Sequence, residues 1–220
     1  MANRRAGRTD CPAGFLSGAA PGTMARKKGK HGMGTVLVVT GSYRKNANSG
    51  ILADKIAEGA RAAGHNVDRI DAGRLDINAC RGCYACMNPG SDYCVINDDM
   101  RKMYPLVEKA DAIILASPIY FFTMCGQIKQ FLDRCFAVAV NPDPNGPSRF
   151  AGKKLGAAFV YGDNDPFVSG CVNAIRTLQD TAAYCGAKWA GVVYGSASDE
   201  GDVAKNDEIM QNAYDFGVRL

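Results

Sequence analysis

No stretch of this chain restricts its fold more than Thr35 to Ser49, TVLVVTGSYRKNANS. An apolar run rich in β-branched residues, Val36-Leu37-Val38-Val39, stops at Thr40-Gly41. A short, nearly continuous apolar run predicts a strand covered on both faces. A polar loop follows, with hydroxyls at Ser42 and Ser49, a guanidinium at Arg44 and amides at Asn46 and Asn48. The next segment, SGILADKIAEGARAA, sets Ile51, Leu52, Ile56, Ala60 and Ala63 at helical spacing, and Gly64 suits the left-handed position that ends a helix. Strand, polar loop and helix start in this order aim backbone N–H groups and the positive helix end at an anion.

The same alternation continues to the end of the chain. Asn66–Ile70, Asp111–Ser117, Lys154–Tyr161 and Lys188–Tyr194 read as strands. Helices are predicted from Asp98 to about Lys109, over 124–137, from Val168 to Tyr184, and from Val203 to Val218. Asp98 and Asp99 suit the positive end of the first of these. Five strands alternating with helices imply an α/β fold with a parallel sheet, right-handed crossovers and helices on both faces. Ligands of such sheets bind at the carboxyl ends of the strands, beside the topological switch point. The informative loops there are 41–49, 117–124 and 161–167.

Charge is divided unevenly along the chain. Residues 1–34 hold seven Lys/Arg against one acid, whereas the remainder holds 19 basic and 21 acidic side chains. The net charge of +4 therefore belongs to the tail, and the folded body offers no basic face for nucleic acid. Residues 1–33 read as a disordered basic extension, with an Arg-rich targeting peptide or a basic arm as the alternatives. No apolar run of about 18 residues exists, so no membrane span is expected. Nine cysteines, an odd number without a signal peptide, argue against a secreted disulfide framework and for a reducing cytoplasm.

The loop matches neither G-x-x-x-x-G-K-[ST] nor G-x-G-x-x-G. A nucleotide hydrolase and a dinucleotide-binding dehydrogenase are both weakened. No Ser/His/Asp set or carboxylate pair supplies hydrolytic chemistry. His65, after the helix-ending glycine, reads as a solvated turn residue. The motif G-S-x-R-x-x-x-N-S followed by ILADKIAEGA resembles the flavodoxin-like NAD(P)H-dependent FMN reductases. Ala116-Ser117-Pro118-Ile119-Tyr120-Phe121 is similar to their flavin-ring loop, and Lys129-Gln-Phe-Leu-Asp133-Arg134 to the helix after it. The ending from Gly195, with Gly201-Asp202-Val203, resembles theirs as well. The resemblance spans residues 34–220.

It implies a flavodoxin-like three-layer sandwich with a five-stranded parallel sheet in the order 2-1-3-4-5. It also implies that Ser42, Arg44, Asn48 and Ser49 bind the FMN phosphate. Pro118, Ile119, Tyr120 and Phe121 would wall the isoalloxazine, and Tyr161, Gly162 and Asp163 would form the third flavin loop. The family often has two glycines in that loop, where this chain has Asp163 and Asn164.

Cys80, Cys83, Cys86 and Cys94 form C-x2-C-x2-C-x7-C in an insertion at 80–94. Thiolates at such spacing suit iron–sulfur clusters, zinc or Cu(I). Val95 stands where the bacterial ferredoxin run has proline. The motif resembles that of the iron-sulfur flavoproteins, a branch of the same family. That resemblance implies a [4Fe-4S] cluster beside FMN and a homodimer or homotetramer. A cluster, structural zinc and a cluster-free site with redox-active thiols stay open. Cys125, Cys135, Cys171 and Cys185 read as small buried hydrophobes.

By resemblance, the activity is an NAD(P)H-dependent FMN oxidoreductase that serves a small acceptor such as a flavin or quinone, or the cluster. Two alternatives stand beside it: an iron-sulfur flavoprotein that carries electrons without nicotinamide turnover, and a zinc-stabilised interaction protein.

Overall fold

The computed structural model describes residues 33–141, 143 and 146–220. The expectation for the basic tail falls on residues outside this range. Gly32–Leu220 form one compact unit. Its strands are β1 (Thr35–Thr40), β2 (Asn66–Asp71), β3 (Ala112–Tyr120), β4 (Thr123–Met124), β5 (Lys154–Tyr161) and β6 (Lys188–Ser196). Its helices are α1 (Asn48–Ala62), α2 (Met100–Lys109), α3 (Gly126–Arg134), α4 (Phe136–Ala139), α5 (Cys171–Cys185) and α6 (Asp207–Val218).

The main sheet runs β2-β1-β3-β5-β6, all parallel, which is the expected order once the two-residue β4 is set aside. The fold is the flavodoxin-like α/β sandwich. Alternating residues of the central strands feed opposite layers, as the two-residue period of a strand requires. Leu37, Val39, Ile113 and Leu115 join the core under α2, α3 and α5, with Ile128, Phe131 and Leu178. Val36, Val38 and Ile114 join the core under α1 and α6, with Leu52, Ile56 and Phe216. All six residues of β1 are buried, so no face of it is spared for solvent.

Three elements differ from the sequence expectation. β3 continues past Ser117 to Tyr120 and turns back through Phe121-Phe122 into antiparallel β4. The helix expected over 124–137 breaks at Cys135 into α3 and α4. The closing helix starts at Asp207, where the Asn206 side chain accepts from Ile209 N–H, after a short 3-10 turn at Asp202–Lys205. A capping side chain decided that last boundary, because it offers the helix start a partner that Val203 cannot. His65 also differs, since its Nδ1 accepts from the Gly34 N–H at 3.2 Å and thereby ties the entry to β1.

Helices α1 and α6 approach closely through glycine. A Cβ on Gly59 would stand 2.0 Å from the Tyr214 carbonyl oxygen, and one on Gly217 would stand 2.0 Å from that of Ile56. Alanine favours a helix over glycine by about 1 kcal/mol. Overpacking against immovable backbone costs about 1–3 kcal/mol. The clash wins. Gly59→Ala is expected to lower the melting temperature by several degrees, at about 2–4 °C per kcal/mol for a domain of this size. Gly126→Ala, with nothing within 4 Å of the new Cβ, leaves it unchanged or higher in the same thermal scan.

Candidate functional site

The loop after β1 is drawn in tightly before it opens. Gly41 N–H donates to the Ala116 carbonyl at 3.1 Å, and Cys125 Sγ lies 3.5 Å from the Gly41 carbonyl oxygen. A Cβ at Gly41 would meet Ile128 Cγ1 at 2.4 Å and Cys125 Sγ at 2.7 Å. Only glycine lets the loop lie against α3 in this way. From there the chain turns into α1 with Ala47 at its cap position, and Ala47 supplies no side-chain acceptor. A helix start has four N–H groups without helical partners. Here that start is buried, with Ala47, Asn48 and Ser49 at most 8% exposed.

The side chains around it divide into two kinds. Asn48 is occupied: Nδ2 donates to the Asp199 carbonyl at 2.7 Å and to that of Ala197 at 3.4 Å, while Oδ1 accepts from Val203 N–H. It pins the loop after β6 onto the α1 start and orients that loop. Ser49 is the opposite case, because its buried Oγ has no hydrogen-bond partner. Arg44 is half-exposed; Nη1 reaches the Ser198 carbonyl at 3.4 Å and Nε lies 4.0 Å from Glu200. Ser42 Oγ accepts from Arg44 N–H at 3.3 Å.

These residues line a cavity of about 280 Å³, which reaches Pro118, Ile119 and Tyr120 on the end of β3 and Tyr161 and Gly162 at the end of β5. This is close to the low end of the size range of small-molecule sites. It brings together all the expected cofactor residues except Phe121 and Asp163. Asp163 is exposed and off the lining, as is Phe121. The lining also includes Ala47, Val160, Ala197 and Ser198, which the sequence did not single out.

Phe121 stands apart because of the hairpin. Phe121 and Phe122 have φ of 46° and 70°, the two left-handed residues that a tight hairpin turn demands, usually met by Asn-Gly. Side chains in that region cost about 1–2 kcal/mol per residue. The turn is held from outside: Asn173 Nδ2 donates to the Phe122 carbonyl at 3.1 Å, and Gly170 leaves the space that Phe122 occupies. Phe121 is 95% exposed at the tip, beside half-exposed Tyr120 and Phe122.

The second group of residues lies at the far end of α3. Cys80, Cys83, Cys86 and Cys94 line one cavity of about 890 Å³, largely apolar, with Phe136 and Phe150 in its wall. Burial pushes the Cys86 thiol up, and the neighbouring Cys94, Cys83 and Cys80 push it further. Among the described residues, no three His, Cys, Asp or Glu side chains already stand in ligating geometry. The donor set nonetheless fits a soft metal or cluster. Four thiols share one cavity, and sulfur ligands suit soft cations, which bind them as thiolates. Cys125, Cys135, Cys171 and Cys185 are buried, as their helical positions suggested.

Both ends of the cysteine segment are fixed by one buried ion pair. Arg134 Nη1 and Nη2 donate to Asp98 at 2.5 and 3.1 Å, with the two side chains 0% and 1% exposed. Asp98 also accepts from Asn78 N–H at 2.9 Å and Met100 N–H at 3.1 Å, and Arg134 donates to the Asn78 carbonyl at 2.8 Å. Burial pushes the Asp98 carboxyl up, but the hydrogen bonds from Arg134, Asn78 and Met100 outweigh it and hold it below the usual range. Residues 78 and 98 are thereby clamped to the end of α3. That helix has nine residues, about 13 Å of rise, and its start at Cys125 touches Gly41. One rigid element thus joins the polar loop to the cysteine segment.

A protein-family model described as NADPH-dependent FMN reductase matches residues 35–200. The chain belongs to that family and is an oxidoreductase of its kind. It is similar to an iron-sulfur flavoprotein of Archaeoglobus fulgidus, with 32% identity over 173 residues, 78% of this chain and 74% of the relative. It is similar to another from Methanocaldococcus jannaschii, with 29% identity over 84% of this chain and 94% of the relative. Among solved structures, the NAD(P)H:quinone oxidoreductase of Methanothermobacter marburgensis shares the fold at a TM-score of 0.66. Its sequence identity is 17%, over 85% of this chain and 96% of the other.

The orphaned Ser49 hydroxyl gives the site a test with two opposed signs. A buried hydroxyl without a partner costs about 1–3 kcal/mol. Ser49→Ala is therefore expected to hold or raise the melting temperature of flavin-free protein. The same change is expected to weaken FMN binding about tenfold in a fluorescence-quenching titration.

Proposed function

We propose that this oxidoreductase binds FMN at the loop after β1 and moves hydride or electrons from NAD(P)H to a small acceptor such as a flavin or quinone. We propose further that Cys80, Cys83, Cys86 and Cys94 hold a [4Fe-4S] cluster, so that electrons have a second destination. The observation that carries the reading is the uncapped, buried start of α1 with an unpartnered Ser49 hydroxyl on the cavity wall. A phosphate monoester offers three acceptor oxygens to those donors, with Ser42 and Arg44 completing the set. Each charge-assisted hydrogen bond contributes about 1.5–3 kcal/mol.

When bound, FMN supplies the hydride and single-electron chemistry, so the chain needs no acid–base pair. Pro118, Ile119 and Tyr120 offer an apolar lining that suits a ring, and Tyr161 and Gly162 line the same cavity. Asn48 keeps the loop after β6 in place behind Arg44. The exposed tip at Phe121 lies beside the mouth, where an incoming nicotinamide or acceptor would meet an aromatic face.

The electron-carrier reading without nicotinamide turnover is favoured by the four thiols in one cavity and by the iron-sulfur flavoprotein relatives. A zinc-stabilised interaction protein is the remaining outcome. We place the protein in the cytoplasm as a homodimer or homotetramer, without nucleic-acid or membrane partners. Among the described residues, no helix is long and apolar enough to cross a membrane.

Anaerobic purification followed by flavin and metal analysis separates these readings. The expected result is one FMN and about four iron per chain, with NADH or NADPH bleaching the flavin band. Flavin and iron without nicotinamide bleaching would make it a carrier. Zinc with no flavin uptake would overturn the proposal.

A further inference from the structure

Beside Ser49 Oγ, two other buried side-chain atoms among the described residues lack a hydrogen-bond partner: Tyr104 Oη and Arg134 Nε. Tyr104 belongs to the core cluster against which Tyr93 and Cys94 pack. Tyr104 is wholly buried in α2 and stacks on Tyr93, with ring centroids 4.9 Å apart and planes 21° apart. Tyr93 immediately precedes Cys94, and its own hydroxyl is spent on Glu108 at 2.6 Å. Arg134 spends both Nη1 hydrogens and one on Nη2 on Asp98 and Asn78, and its Nε–H is left without a partner. The electrostatics of Tyr104 involve both Arg134 and Cys94, and those of Arg134 involve Tyr104 and Cys94, in keeping with that packing.

Their chemistry allows one arrangement that satisfies all of them. Guanidinium only donates, phenol donates and accepts, and sulfur accepts weakly as a thiol. A thiolate accepts strongly, because hydrogen bonds to a charged partner are roughly twice as strong. We propose that Arg134 Nε–H donates to Tyr104 Oη and that the Tyr104 O–H donates to Cys94 Sγ, a relay completed when Cys94 is a ligating thiolate. The inference rests on the cluster reading of the four cysteines given above. With Cys94 as a neutral thiol the relay has no strong acceptor at its end.

The consequence is a tuned metal site. Hydrogen bonds to ligand sulfur draw off negative charge and raise the reduction potential of a cluster. Reduction adds one electron, and its charge falls partly on the ligand sulfurs. The relay therefore favours the reduced form more than the oxidised one. Tyr104 acts through Cys94 and is a positioning residue, and Arg134 both clamps the loop and polarises the phenol.

The test uses full-length protein purified anaerobically with its flavin and iron. Iron per chain is assayed, and the cluster's midpoint potential is read by electron paramagnetic resonance during dithionite titration. Tyr104→Phe removes one hydroxyl and keeps the ring stack. It is expected to retain iron and to lower the reduced-to-oxidised ratio at fixed potential about tenfold, which is about 59 mV for a one-electron couple. Tyr93→Phe, whose hydroxyl serves Glu108, is expected to leave the potential where it was. Should Tyr104→Phe shed its iron, fluorotyrosine at position 104 keeps the hydroxyl as a stronger donor and is expected to raise the potential. An unmoved potential in the position-104 variant that keeps its iron, or an equal fall in Tyr104→Phe and Tyr93→Phe, would overturn the relay alone. Absence of iron in the unaltered protein would overturn the cluster reading and the relay with it.

Discussion

Buried polar groups must find partners, and among the described residues the side-chain atoms that do not are grouped at two places. The start of α1 is buried without a capping side chain, and Ser49 Oγ is unanswered on the cavity wall. A cap contributes about 1 kcal/mol, and Ser, Thr, Asn or Asp at position 47 could have supplied it. The chain carries alanine there and commits its nearest amide, Asn48, to the loop after β6. The donors are left for something outside the chain. Everything else in the site is arranged around that opening: Gly41 sets the approach, Arg44 flanks it, and the ends of β3 and β5 wall it.

The second place is the base of the cysteine segment, and α3 connects the two. At its start, Cys125 N–H donates to Ser117 Oγ at 2.9 Å and Cys125 Sγ contacts Gly41. At its end, Arg134 and Asp98 clamp the segment at residues 78 and 98. A buried ion pair seldom adds net stability over a well-packed apolar pair, but losing one partner costs about 3–5 kcal/mol. The pair therefore acts as a locator. It holds an otherwise exposed segment bearing Cys80 and Cys83 at a set place relative to the loop after β1.

The parts that could be read from sequence are those written locally. The apolar run of β1, the polar loop and the α1 spacing lie within 30 residues, so strand, loop and helix were all legible there. The parallel sheet with helices on both faces followed from the βα alternation and the handedness of crossovers, and the strand order from the family resemblance. The rest depended on distant partners. The commitment of the Asn48 side chain was hidden because its acceptors, Ala197 and Asp199, are about 150 residues away. Phe121 looked like part of the ring wall because no Gly or Asn marks its turn; the support comes from Gly170 and Asn173 on α5. Asp98 looked like a residue for the helix dipole. One signal was available: Arg134 falls among the inward positions Ile128 and Phe131 of α3, and a charge on an apolar face needs a buried partner.

The central claim is that the open helix start is a phosphate site. Comparing FMN with riboflavin on flavin-free protein tests it most directly, since the two differ only in the phosphate. Two charge-assisted hydrogen bonds of about 1.5 kcal/mol each correspond to roughly a hundredfold in affinity. The account predicts that FMN binds at least about a hundredfold tighter than riboflavin, with the difference shrinking as salt is raised. Equal affinity for the two would contradict it.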